Sequence, residues 1–596
     1  MYQRDTGDLT MAEPTGQRDY ITYAVDEHPP HLISAALGFQ TVALILAGIT
    51  LTPIIALKAA GVDPAAGDWV VFAALTISGL MTILQSAPVG PFGAGYVLFM
   101  GTSGAFVAVS IGAMEAGGLP LLGALVAASS LVQFVFSRHL GLFRKIVNPT
   151  VGGTVITLIA VSVMPIGFGM LERQPANYSG PENAALVTSA VTFLLIILLS
   201  FYGNAKLRLW GPVIGVIAGC ILAAFYGLMD FTRFNEADWI GLPAVGWPGI
   251  DTRFGSDFWI MLPGFMIVTI IGALETYGDG IAIQEVSNRT EKPINYRVVQ
   301  GAVNADGLGN LLSGLMGTLP NTTYSTSISV IDLTGVASRR IGLYGGGILL
   351  ALAASPKISA LLQAIPGPVA GVFIFFLIVL LFAHGIRLIL TDGFNFDHGI
   401  IFGVSLWAGI GFQGQSVFHN LMPSQVAQLL DNGMTTGGIT AVVLSLLVSL
   451  KRGRSFAKRF PSSLASLPEV LDFVKERGRA MGWRGEELSK LQLAAEEAFL
   501  YQIDDFGDLA GQSTRVSIRG DAQTVAIELA CAQGNDNIEA RLQDLPDAPV
   551  GYSEEDLRLR ILKSFCDDIE HQQFRGGDYL SMTLTAAPDN AISGIA

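Results

Sequence analysis

Charge is scarce in this sequence. Only 14% of its 596 residues are charged, against roughly 25% in soluble domains, and the mean hydropathy is +0.51. A chain so poor in charge is excluded from the ordinary soluble class and reads as an integral membrane protein with more than one domain. Cysteine is nearly absent. Cys220, Cys531 and Cys566 offer neither a metal-ligand spacing nor a disulfide framework, so no metal site is expected. The N-terminal stretch from Met1 to Asp26 is polar and lacks the basic start and short apolar core of a cleaved signal peptide. The net charge of −14 sits largely toward the C-terminus and does not imply an acid-seeking partner. No cofactor, no catalytic residue and no nucleic-acid partner is expected, and the chain is not read as an enzyme.

Long apolar runs dominate instead. A spanning helix needs about 20 apolar residues, and about fourteen candidates fit that rule. They lie near 31–57, 69–87, 92–112, 119–137, 147–170, 184–203, 211–229, 258–283, 300–318, 322–334, 343–363, 368–390, 399–418 and 434–450. The third carries Gly101-Thr102-Ser103-Gly104 in mid-span. The tenth follows Pro320 and Asn321 and opens on Thr322, Thr323, Tyr324, Ser325, Thr326 and Ser327. Polar, interrupted backbone at membrane depth is tolerated only where protein buries it or a cavity meets it. Interrupted segments at matching places in two halves point to the binding site of an inverted-repeat transporter. The plainer reading of the tenth segment is a loop followed by a short helix.

Loop charge agrees with an even number of crossings and both termini in the cytoplasm, in the manner of a bacterial inner-membrane protein. One set of loops holds Arg138, Arg144, Lys145, Lys206, Arg208, Arg289, Lys292, Arg297, Arg339, Arg340 and Arg387, and Lys451 to Arg459 follow. The other set holds scattered Lys58, Arg173, Arg233, Arg253 and Lys357. From Phe460 to Ala596 polar and apolar residues alternate without a spanning segment, which reads as a cytoplasmic α+β domain. Helices are expected over Leu467–Met481, Glu486–Gln502 and Glu554–Ile569, and strands over Thr514–Ile518, Val525–Cys531 and Tyr579–Thr585.

Intramembrane carboxylates are costly and mark function by default. Glu275 follows apolar Ile267 to Leu274, and Asp279 lies one helical turn on, so the two share a face. A carboxylate there can accept ligand N–H groups or take a coupling proton; it can also hold helices together through a neighbouring hydroxyl. Asp306 sits either deep in the ninth span or at its edge. Asp332 reads as interfacial, close to Arg339 and Arg340. Gln40, the one strongly polar residue in mid-span of the first helix, either bonds a ligand or joins helices. Half-helices starting at the two interruptions would offer free N–H groups with a partly positive end. With a facing carboxylate, they suit a flat heterocycle bearing N–H and C=O groups.

These residues resemble the nucleobase–ascorbate transporters (nucleobase–cation symporter 2), which include uracil and xanthine permeases. The likeness covers roughly Pro30 to Leu450. LGFQT (Leu37 to Thr41) is similar to LGxQH, GTSGAF (Gly101 to Phe106) to GSSFAF, and VNPTVGGTVI (Val147 to Ile156) to PPxxxGxxI. ADGLGNLLSGLMGTLPNTTY (Ala305 to Tyr324) is the most specific match, to ADGLxxxxxxxxGxxPNTTY. The resemblance implies an all-α polytopic fold, a 7+7 inverted repeat with a core (about 31–137 and 258–363) and a gate (about 147–229 and 368–450). It implies a homodimer in the bilayer and a base held between the third and tenth segments. On that reading Glu275, Thr326, Ser325, Tyr324, Ser103, Gly104, Ala105, Phe106 and Gln40 bind substrate. Asp279, Asp306 and Glu275 carry coupling to protons, or to sodium. Thr326 stands where uracil permeases have a second glutamate, Thr41 and Asp279 where they have histidines, and the xanthine-type QNxG is absent.

LQLAAEEAFLYQIDDFG (Leu491 to Gly507) and FRGGDYLSMT (Phe574 to Thr583) resemble anti-sigma-factor kinases of the histidine-kinase-type ATPase fold. Tyr501 replaces the magnesium-holding Asn and the DxGxG box is missing, which implies a degenerate regulatory or dimerising module. The expected function is proton-coupled nucleobase import. The alternatives are a SulP-like anion transporter and a transporter-derived nucleobase sensor that signals through the C-terminal domain.

Overall fold

The computed structural model describes residues 20–586 except 64, 141–148, 176–177, 244, 291, 392, 394, 413–432, 452–455, 507–511, 532–537, 544–553 and 576. The start of VNPTV, the end of the span expected to 418 and most of CAQGNDN (531–537) lie outside the described residues. Helices α1 (His31–Ala59) and α2 (Ala66–Ser86) lead to a three-residue strand, β1 (Met100–Thr102), and a single 3-10 turn, Gly104–Phe106. Then comes α3 (Val107–Arg138), broken at Gly117 and at Gly118, whose φ is 72°. Next are α4 (Pro149–Leu171), α5 (Ala184–Tyr202), α6 (Ala205–Phe225) and the short α7 (Thr232–Glu236). After them run α8 (Ser256–Ser287) and α9 (Tyr296–Met316), then β2 (Asn321–Thr323) and α10 (Thr326–Thr334). The helical part closes with α11 (Arg340–Ala353), α12 (Pro356–Gln363), α13 (Gly367–Thr391), α14 (Phe396–Phe412) and α15 (Gly433–Lys451). Among the described residues eight helices are long and apolar enough to cross a membrane, and nine if α11 and α12, bent by 83°, form one span.

Two bundles emerge from the packing. In one, α1, α2, α3, α8, α9 and α11 lie against each other; in the second, α4, α5, α6, α13, α14 and α15 do so. Small residues allow the closest crossings. A Cβ at Gly314 of α9 would fall 2.4 Å from the backbone of Ala127, so α3 and α9 touch backbone to backbone. Left-handed glycines end the helices around the second interruption: Gly317 (φ 70°) closes α9 and Gly335 (φ 66°) closes α10.

An N-terminal strap supplies the partner of Arg339, which meets Asp26 at 3.1 Å, and Asp332, read as interfacial, lines a cavity described below. The strap runs along Gly335 to Arg339, with Thr22 donating to the Gly335 carbonyl and Arg339 to that of Val25. Glu27 fastens it by a two-pronged bond to Arg289, both arms 2.8 Å.

The C-terminal domain starts earlier than residue 460. Strand β3 (Phe456–Pro461) pairs antiparallel with β4 (Ser513–Gly520), and β5 (Thr524–Cys531), β6 (Asp568–Phe574) and β7 (Gly577–Thr585) complete a sheet of order β3-β4-β5-β7-β6. Helices α16 (Leu467–Ala480), α17 (Gly485–Phe506), α18 (Ile538–Gln543) and α19 (Glu554–Phe565) accompany it. The helix expected to reach Ile569 stops at Phe565, because Asp568 and Ile569 pair with Thr583 and Met582 in the edge strand β6. Alternation puts Val525, Ile527 and Leu529 under Leu491, Ala495 and Phe499 in a separate apolar core.

One titration follows from this core. His571 in β6 is 5% exposed and accepts the Ile538 N–H at 3.0 Å, which requires a bare Nδ1. Burial, with Arg297 nearby, pushes it down to about 4. The unfolded chain therefore binds the proton first, and stability present above about pH 6.5 is lost as pH falls toward 4, by up to about 3 kcal/mol. Domain melting followed from pH 7 to pH 4 is expected to show this loss, and His571→Gln is expected to flatten it.

Candidate functional site

The two interruptions meet. Strand β1 pairs antiparallel with β2, with Met100 opposite Thr323, Gly101 opposite Thr322 and Thr102 opposite Asn321. This pairing answers the cost of non-helical backbone inside an apolar protein, since each strand satisfies the other. Further backbone and side-chain bonds complete the count. Ser103 N–H donates to Pro320 O at 2.8 Å, Met100 N–H to Thr82 Oγ1 at 3.0 Å and Phe99 N–H to Ser327 Oγ at 2.9 Å. Asn321 N–H donates to Asn310 Oδ1 at 2.7 Å, and Asn310 donates to Gln133 Oε1 at 2.9 Å.

A cavity of about 850 Å³ opens beside this junction. Gly104 and Ala105 line it from the first interruption, and Thr322, Thr323, Tyr324, Ser325 and Thr326 from the second. Glu275 lines it from α8, Leu44, Gly48 and Thr52 from α1, and apolar residues of α5, α6 and α13 from the opposite bundle. Its far end carries Arg208, Asp332 and His384. Following the alternating direction of α5, α6, α8 and α9, that end lies on the side where Tyr296 and Gln300 meet the C-terminal domain.

The three intramembrane carboxylates differ in what holds them. Asp279 is buried and accepts Thr323 Oγ1 and Ser325 Oγ, each at 2.7 Å. Thr323 Oγ1 also lies 3.3 Å from Thr276 Oγ1, but its single proton goes to the shorter, charge-assisted bond. Asp306 is fully buried, accepts Gln133 Nε2 at 2.5 Å and stands outside the cavity lining. Glu275 is half-buried at the cavity wall and has no hydrogen-bond partner among the described residues. It is thus the carboxylate left open to a ligand, whereas Asp279 ties α8 to the start of α10.

Other expected residues are placed less uniformly. Tyr324 lines the cavity and its hydroxyl donates to Thr102 O at 2.8 Å, bracing one interruption against the other. Ser103 and Phe106 are buried behind the lining, Phe106 against Phe265 with ring centroids 6.3 Å apart. Gln40 sits on the α1 face of Leu44, Gly48 and Thr52 but one turn beyond the lining, half-buried. Thr102, Thr322 and Thr323, which belong to the two interrupted stretches but stand outside the expected substrate-binding set, also line the cavity.

Two glycines here have opposite roles. A Cβ at Gly101 would fall 2.6 Å from the Tyr324 ring, so only glycine lets Tyr324 lie flat over β1. A Cβ at Gly104 meets nothing within 4 Å. Gly101→Ala is expected to cost roughly 1–3 kcal/mol of stability by overpacking. Gly104→Phe is expected to leave melting unchanged while filling the cavity and weakening ligand binding by about tenfold or more. Thermal unfolding and ligand titration on the two variants check the contrast.

Residues 33–416 match a xanthine/uracil permease profile described as the permease family. Xanthine permease XanP of Escherichia coli K12 is 30% identical over 457 residues, covering 73% of this chain and 96% of its own. Uric acid permease PucJ of Bacillus subtilis is 28% identical over 451 residues, covering 74% and 98%. Among solved structures, the murine Solute Carrier 26 family member A9 anion transporter aligns at TM-score 0.49 and 13% identity, covering 73% of this chain and 71% of its own. An alignment at that level decides nothing about substrate. The family match ends before β3, so the C-terminal domain lies outside it.

Proposed function

This chain belongs to the xanthine/uracil permease family, and from that premise we propose that it carries a nucleobase across the membrane by proton-coupled alternating access. The observation that supports the reading most is Glu275, a carboxylate without a hydrogen-bond partner among the described residues, on the wall of a cavity where two interrupted segments meet. A ring N–H of an oxopurine or pyrimidine would satisfy it, and an anion would be repelled by it, which disfavours the SulP-like alternative. The hydroxyl of Thr326, in the place of a second glutamate, would donate to a base carbonyl. The relatives named for xanthine and uric acid favour a two-ring oxopurine.

On this reading the bundle of α1–α3 and α8–α12 is the core and that of α4–α6 and α13–α15 the gate. With α11 and α12 as one bent span and the two interrupted segments as third and tenth, the helices make a 7+7 repeat of about fourteen crossings. The side bearing the C-terminal domain is cytoplasmic by its loop charge, so the cavity faces inward. The lightly buried α5 and α6 would face lipid or a second copy. Asp279 is the coupling group we favour, because a proton on it removes an acceptor from Ser325 or Thr323 and so loosens α8 from α10.

A binding panel with xanthine, uric acid, uracil, sulfate and bicarbonate, joined to uptake in proteoliposomes, tests the proposal. Xanthine or uric acid is expected to bind and to accumulate inside under an inward proton gradient. Binding of the anions alone would overturn it.

A further inference from the structure

We infer that the C-terminal domain is a strut that ties gate to core and restrains their relative motion. The inference rests on the alternating-access reading above, in which these two bundles move against each other. The sheet is held at both edges. At the β3 edge, Phe456 follows closely on Lys451, the last residue of gate helix α15, and the chain between them can reach at most about 17 Å. At the other edge, the β6–β7 hairpin is pressed into the core. Phe574 is 3% exposed and shares an apolar cluster with Phe136 of α3, Ala273 of α8 and Val303 of α9. Arg575 N–H donates to Gln300 Oε1 at 3.0 Å, and its Nη2 donates to Gly90 O at 3.1 Å. Gln300 in turn donates to Ser137 O at 2.8 Å, so one side chain joins the hairpin, α9 and the end of α3.

An aromatic ladder carries this edge toward the site. The Phe574 ring lies 5.3 Å from that of Tyr296, which stacks at 29° and 6.3 Å on Tyr277. Tyr277 sits on α8 between Glu275 and Asp279, on the face turned away from them. Strand order puts β3 and β6 at opposite edges, four strand spacings or about 19 Å apart. A hydrogen-bonded sheet of that width, tethered at one edge and clamped at the other, resists a shift of core past gate. On the inward-facing reading above the cavity opens on the strut's own side, so the clamp favours that conformer, and the hairpin must let go or pivot for the core to cross.

The test uses the full chain in proteoliposomes. One form carries Phe574→Ala with Arg575→Ala to release the hairpin. Another carries Tyr296→Cys with Phe574→Cys to lock it by oxidation, with each single variant as control for the native cysteines. Ser329→Cys, exposed near the cavity mouth, reports the conformer through its rate of maleimide labelling, followed at that residue by mass spectrometry and needing no substrate. Release is expected to slow labelling and to speed uptake of radiolabelled xanthine, each by about threefold or more. The locked form is expected to transport at about a tenth of its reduced rate or less, with recovery on reduction and xanthine Kd changed less than about threefold. Equal labelling and equal uptake in wild-type, released and locked forms overturn the strut. Shifted labelling with no xanthine binding in any form supports the strut and instead defeats the substrate reading.

Discussion

Glu275→Gln is expected to abolish base binding, by about a hundredfold or more, while the protein melts no earlier than the wild type. Hydrogen bonds to a charged acceptor contribute roughly 1.5–3 kcal/mol each, and a neutral amide presents one acceptor and one donor where the ligand needs an acceptor for its N–H. Stability is expected to hold for a separate reason. Glu275 has no hydrogen bond among the described residues, so its replacement breaks no internal bond. Removing a half-buried, unpartnered charge lowers a desolvation cost and favours the fold. Had this side chain served only to join helices, the amide would lower the melting temperature and spare affinity. A calorimetric titration with xanthine beside thermal unfolding separates the two patterns, and unchanged affinity would sink the assignment.

Much of this site is legible in the sequence because membrane depth makes each polar residue conspicuous. Gly101 to Gly104 and Pro320 to Ser327 announce the two interruptions, and the spacing of Glu275 and Asp279 gives a shared helix face. What the sequence does not disclose is who pairs with whom. Asp306 finds its partner in Gln133, 173 residues away, and Asp279 finds Thr323 and Ser325, 44 and 46 residues on. No local periodicity encodes such pairs, so three carboxylates that read alike turn out to be held in different ways. The same limit explains the C-terminal domain. Strand β3 is hidden because Lys458 and Arg459 read as a basic run after the last span. Strand β6, DIEHQQF, is a polar edge whose alternation is weak, and its Phe574 is buried only because the helical bundle lies against it. Gln40 is conspicuous for the same reason as Glu275, yet lies one turn too far along α1, a matter of where the cavity ends and not of residue type.

Asp279→Asn is expected to uncouple the permease: base accumulation under a proton gradient falls to equilibration, while base exchange survives within about tenfold of wild type. The asparagine keeps the shape of the carboxylate and one acceptor oxygen, enough for Ser325 or Thr323. The remaining hydroxyl is not stranded, because it can accept from the amide and, in the case of Thr323, pass its proton to Thr276 Oγ1 at 3.3 Å. The net cost is therefore about 1 kcal/mol, the difference between a charge-assisted and an ordinary bond. What asparagine cannot do is gain or lose a proton, and so the tie between α8 and the start of α10 no longer depends on the proton gradient. Exchange needs only substrate-driven movement of the core, whereas accumulation needs the proton to bias it, and the two assays on one preparation read those steps apart. Both are run with and without an imposed pH gradient. If the variant still concentrates xanthine, the coupling proton resides on Glu275 or on the Asp306–Gln133 pair, and Asp279 is a structural tie alone.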